Sequence, residues 1–368
     1  MEEKNQLAEA RKERNEKIIR AVIAKAEKAC PGSLDLVAVN GSFATGKFHP
    51  RSDLDLLIVV NGEAGTCLAE AFVEEDTEAA HDLWCMTWER LRGMAGYEHP
   101  HIAKLLDSAV VWTSGKEAED RLEGIRAEAR ANLAAPFGEK DLAKAEGFLR
   151  EAEHCFVMAA LAGTLSEVRR WSAGTVICLE DALTMLNKKY YRLGVRDRYR
   201  ELASLERKPE ELCALIESVV RGKKIEEIRT AAADLMRVVE AVFEEARISL
   251  APPKKTPGPG DLEGTYEEMF SNWRGKMHLA AETGDRHLAF SSLVSFRSML
   301  LDEIGAEYEI GEYDVMAAYD PEDLRKTEAG FDELLFRYGA ECERAGVKLR
   351  KFRDVDAFVK DYLGEAGD

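Results

Sequence analysis

The chain has no apolar run approaching the roughly 18 to 20 residues that a membrane-spanning helix requires, so no membrane partner is expected. None of its seven cysteines forms a C-x-x-C pair, and histidine rarely stands near one. Zinc-binding and disulfide patterns are thereby missing, and reduced, mostly buried thiols are expected. An excess of basic residues is missing too: the formal charge is −18. A protein that grips nucleic acid through phosphates normally presents a basic face, so nucleic acid is not expected as a partner and a cationic small molecule suits this field better. The opening residues, "MEEKNQLAEARKERNEK", contain no apolar core and are too acidic for a secretory or organellar address, which points to the cytoplasm. Proline is scarce except in "APPKKTPGPG", residues 251–260, which holds four of the ten.

A length of 368 residues exceeds what one core usually fills, so more than one domain is expected. Helical spacing of Leu7, Ala10, Ile18, Ile19, Val22 and Ile23 predicts a helix over 3–29, stopped by "CPGS". Strands are predicted over 34–39 and 54–60, the second apolar on both faces as in a covered sheet. A helix over 66–73, a third strand over 79–88, a helix from "ERLRGM" and a helix with a short edge strand over 99–115 complete an α/β unit. Segments 116–133, 139–161, 165–190, 209–221 and 224–247 read as a helical bundle, the proline-rich stretch as a linker and 261–368 as mainly helical. The fold class is therefore α+β: an α/β domain (1–115) with a mixed sheet, a helical bundle (116–250), a linker (251–260) and a C-terminal helical region (261–368).

The chemistry concentrates in "VAVNGSFATGKFHPRSDLDLLIVV", residues 37–60. Side chains two apart on a strand point the same way, so Asp53 and Asp55 project together. Two such carboxylates resist ionisation unless a cation lies between them, and Mg²⁺ suits because it takes few protein carboxylates and completes its shell with phosphates and water. Gly41 and Ser42 make a turn twelve residues before Asp53, where backbone N–H groups can hold a phosphate.

An apolar strand, Gly-Ser, a ten-residue spacer "FATGKFHPRS" and "DLDLLIVV" resemble the nucleotidyltransferase superfamily that includes DNA polymerase β. A later apolar strand in "HDLWCM" matches that family's third carboxylate at Asp82, with Asp76 or Glu78 as alternatives if the strand begins earlier. The tail of the unit resembles compact members that modify antibiotics such as aminoglycosides and lincosamides, or act in toxin–antitoxin pairs. The resemblance spans about residues 20–115. It implies two Mg²⁺ ions on Asp53, Asp55 and Asp82, an NTP with ATP expected, phosphate contacts from Gly41, Ser42, Lys47 and Arg51, and transfer of a nucleoside monophosphate, AMP expected, with release of pyrophosphate. A small hydroxyl compound is the expected acceptor. A tRNA or protein acceptor is the alternative, as is a non-catalytic nucleotide-binding role. Glu146 and Glu153 are candidates for a general base contributed by the bundle. His49 and His81 read as surface histidines, and His99 and His101 as helix-entry residues. The basic, aromatic stretch 187–208 reads as a helix end and exposed loop, with RNA or a triphosphate tail as the alternative.

Overall fold

A computed structural model describes residues 2–44 and 52–364 of the chain. It divides into two compact units, 1–251 and 252–368, each with its own hydrophobic core.

The first unit begins with helix α1 (Glu2–Ala29) and strand β1 (Leu34–Asn40), followed by a single turn, α2 (Gly41–Ala44), and strand β2 (Asp55–Val60). A 3₁₀ turn over Glu63–Leu68 leads into the hairpin β3 (Glu70–Glu74) and β4 (Ala79–Leu83), then β5 (Cys85–Thr87) and α3 (Trp88–Ala95). Thr87 starts α3 by accepting a hydrogen bond from the Arg90 N–H. The short helix α4 (Ala103–Leu106) and edge strand β6 (Ala109–Thr113) complete the α/β part. Strand order is β5-β2-β1-β6, with β2 and β5 parallel and the other pairs antiparallel. The mixed sheet of the sequence reading is present. The predicted helix over 66–73 is not: those residues form the end of the 3₁₀ turn and strand β3, and the predicted third strand is two strands separated at Trp84.

Both faces of the sheet are covered, which explains the unbroken apolar run of β2. Leu36, Ala38, Leu57, Val59 and Met86 share one core with the helices that follow: α5 (Lys116–Ala134), α6 (Glu139–Leu161), α7 (Leu165–Leu186), α8 (Arg198–Ala203), α9 (Leu212–Arg221) and α10 (Ile225–Leu250). Val37, Val39, Leu56, Ile58 and Val60 pack on the opposite face with Val22 and Ala26 of α1. Thr164 caps α7 through the Glu167 N–H, in the S/T-x-x-E arrangement its sequence announces.

The second unit is helical, with its longest helix at Leu324–Arg344. Its core gathers Met269, Met277, Leu293, Phe296, Phe331 and Tyr338. No helix among the described residues is long and apolar enough to cross a membrane.

Candidate active site

The carboxylates sit where β2 begins. Leu57 and Val59 face the bundle and Leu56, Ile58 and Val60 face α1, so strand alternation puts Asp55 on the bundle face. Asp53 shares that parity. Asp55 is half-buried, and burial first, then the charge of Asp53, raises its pKa above the ordinary carboxylate value, with Lys104 of α4 opposing them. Asn40, the last residue of β1, pairs with Asp55 across the ladder.

Gly41 follows with φ +69, in the left-handed region that glycine adopts without strain. A Cβ built there would lie 1.8 Å from Asp55 Oδ2. The carboxylate therefore rests against bare backbone at the strand-to-helix turn, and both the backbone angle and the space demand glycine. Ser42 comes next and is half-buried.

Asp82 lies on β4, three residues before β5. In the parallel β2–β5 ladder Ile58 stands opposite Cys85 and Val59 opposite Met86, an offset of 27 (85 − 58). The Leu54 N–H donates to His81 Nδ1 at 3.2 Å, which ties β4, a strand of the separate β3–β4 hairpin, to the residue just before Asp55. Side chains alternate here: His81 and Leu83 are buried, whereas Asp82, Trp84 and Met86 line a cavity of about 460 Å³ together with Arg90, His99, His101 and Lys104. Asp76 and Glu78 fall in the turn before β4. Among the described residues no three His, Cys, Asp or Glu side chains converge into a metal cage. The fold supplies Asp53 and Asp55 at the start of β2, with Asp82 on β4 of the separate hairpin.

A second cavity, about 600 Å³, opens on the other side of β2, lined by Asn40, Asp107, Arg192, Arg200 and Glu201 among others. Arg192 and Arg200 belong to the basic stretch 187–208. Arg192 Nε lies 3.4 Å from Asp107, and its N–H donates to Glu201 at 2.6 Å. Arg200 makes no ion pair among the described residues.

Lys47 and Arg51, and with them His49, lie outside the described residues. Glu146 is held by Arg247 at 2.8 Å and lies 3.9 Å from Arg150, while Glu153 is exposed on α6. Neither lines the cavity beside Asp82. His81 is not a surface residue: it is 2 % exposed and stacks on Phe72 with centroids 4.9 Å apart. Burial first, then Arg14, lowers its pKa and favours the neutral ring that can accept from Leu54. Arg11 and Arg14 of α1 both donate to the Ser52 carbonyl, at 3.3 and 3.2 Å, fixing the residue just before Asp53. These positioning contacts join residues 27 to 41 apart, and no local pattern announces them.

Gly41 and Ser42 thus follow one strand, and Asp53 and Asp55 stand at the start of the next, in a mixed sheet. Residues 16–94 match the family model described as a nucleotidyltransferase domain, and the domain belongs to the nucleotidyltransferase superfamily. No curated protein matches the chain.

Proposed function

We propose that the first unit transfers a nucleoside monophosphate, AMP by expectation, from a magnesium–NTP complex to a hydroxyl of a small, cationic acceptor of the aminoglycoside type. The domain family supports general nucleotidyl transfer. The observation that supports the finer reading is the packing of Asp55 against Gly41, with Asp53 two residues earlier.

The donor set fits Mg²⁺. Asp55 already bears the cost of burial beside a second carboxylate, and a divalent cation between the two would remove it. Asp53 and Asp55 would hold the ion, with Asp82 available as a further oxygen ligand and the remaining positions left to phosphate and water. Magnesium held there supplies positive charge to the phosphoryl group under attack and to its leaving oxygen. The protein's own part is orientation. His81, Arg11 and Arg14 immobilise the chain on either side of Asp53, and the Gly41–Ser42 turn offers backbone N–H groups to the phosphates.

The acceptor would enter the cavity that Asp82 lines, with Trp84 half-exposed at its edge and with Arg90 and Lys104 beside the Asp82 carboxylate. A second reading, with an RNA or protein acceptor, draws on Arg192 and Arg200 at the cavity beside Asn40. Purified protein incubated with Mg²⁺ and each α-labelled NTP, against panels of aminoglycosides, lincosamides and tRNA, separates the readings by where label appears. Asp53→Asn should abolish Mg²⁺-dependent transfer with the melting curve of the first unit retained. Unchanged turnover in that variant would reject the metal-binding role.

A further inference from the structure

The proton of the acceptor hydroxyl needs a destination, and the two bundle glutamates do not line the cavity beside Asp82. His101 does. Its Nε2 lies 3.4 Å from Asp181 Oδ2 on α7, and its side chain is about half exposed on the cavity side. Asp181 is 8 % exposed, an expensive place for a carboxylate that serves only packing. Its Oδ1 and the buried Tyr191 hydroxyl have no hydrogen-bond partner among the described residues. The Tyr191 ring lies 5.0 Å from the His101 ring, and the Tyr191 N–H donates to the Pro100 carbonyl at 3.1 Å, which ties the histidine loop to the chain leaving α7.

We propose that His101 is the general base of the reaction and Asp181 its positioning residue. This rests on the transferase reading given above. With Asp181 accepting from Nε2–H, the lone pair is on Nδ1, free of any protein partner among the described residues. His101 Nδ1 takes the proton of the acceptor O–H as its oxygen bonds to the α-phosphorus. The bond from that phosphorus to the bridging oxygen breaks, and pyrophosphate leaves with the electron pair. Asp181 on α7 is the charged group against the ring, with His99 and Tyr191 as ring neighbours, while Asp82 on β4, Lys104 on α4 and Arg90 on α3 line the same cavity.

The test measures pyrophosphate release from Mg²⁺–ATP with water and with glycerol as a stand-in hydroxyl, so it does not depend on knowing the natural acceptor. His101→Ala should lower kcat by about 10²- to 10⁴-fold with KM for ATP changed less than about threefold, and added imidazole should restore at least about tenfold of the loss. Asp181→Asn should lower kcat by a smaller factor, with no gain from imidazole. Turnover of His101→Ala within threefold of wild type, or a loss that imidazole leaves untouched in a variant with wild-type melting, overturns the assignment. Wild type without pyrophosphate release, or Asp53→Asn as active as wild type, instead removes the transferase reading and this inference with it.

Discussion

Gly41 offers the sharpest test of how the site is built. Replacing it with alanine imposes two separable penalties. The first is backbone strain: at φ +69 an L-residue loses about 1–2 kcal/mol relative to glycine. The second is the clash of the new methyl with Asp55 Oδ2, 1.8 Å away, which no rotation of the methyl relieves. Either the Asp55 side chain leaves its position or the turn moves. Gly62 is the control. It has φ +87 and ψ 177, a conformation essentially reserved for glycine, and nothing within 4 Å of a built Cβ, so Gly62→Ala carries backbone strain without a clash. Urea unfolding of both variants should give about 1–3 kcal/mol lost at Gly62 and about 2–5 kcal/mol lost at Gly41, where overpacking adds about 1–3 kcal/mol to the strain. In Mg²⁺–ATP-dependent pyrophosphate release, Gly62→Ala should behave as wild type. Gly41→Ala should lose on the order of 10²-fold, the usual consequence of a misplacement near 1 Å. Equal stability losses at the two glycines, with Gly41→Ala turning over within twofold of wild type, would refute the claim that this contact sets the carboxylate.

Three further outcomes follow from the first unit and the linker. His81→Phe keeps the stack on Phe72 but leaves the buried Leu54 N–H without an acceptor, so it should cost about 1–3 kcal/mol and most of the activity, whereas His81→Asn, which retains an acceptor, should keep more activity than Phe; the reverse order of activities would count against a positioning role. Glu180 on α7 is pushed up to about 7 by burial, an effect that Arg198, 3.8 Å away, only partly offsets. A raised carboxylate stabilises the fold fully below its unfolded value near 4.5 and loses that contribution as pH rises through about 7. Glu180→Gln should therefore gain stability relative to wild type between pH 5 and pH 8, by up to roughly 3 kcal/mol, read from urea midpoints; a pH-independent difference would contradict it. Finally, limited proteolysis should cut first within residues 251–260, and two fragments that each keep a cooperative melt would support the proposed boundary, whereas first cuts within the bundle would oppose it.

Strand β2 was legible because both its faces are buried, and that leaves residues 56–60 a run of Leu, Ile and Val with no polar interruption. The paired aspartates were legible because a period of two is all that is required to put them on one face. The hairpin β3–β4 was not. Its strand Glu70–Glu74 exposes Phe72 and Val73, so it has no buried face to show in the sequence, and its turn lacks the glycine or asparagine that usually signals a hairpin. Glu78 takes φ +53 there instead. The misreading of His81 has the same root: without the hairpin, nothing turns that ring toward Leu54. Asp181 and His101 are 80 residues apart on elements of different type, a relation that neither spacing nor period can announce.

The layout also explains how an acidic chain holds a half-buried Asp55 two residues from an exposed Asp53. Repulsion between Asp53 and Asp55, added to burial, opposes ionisation of Asp55, and Lys104 supplies the neighbouring positive charge that opposes this shift. An exposed pair on a flexible loop would relax apart. Here the strand ladder, the His81 ring and the two arginines on α1 hold the chain from three sides, so the repulsion persists as a fixed feature of the free protein. On the proposed reading, a cation entering there would be favoured twice, by its attraction to each carboxylate and by the repulsion it would cancel. That preference depends on rigidity as much as on charge, and the residues that supply the rigidity, His81, Arg11 and Gly41, make none of the chemistry themselves.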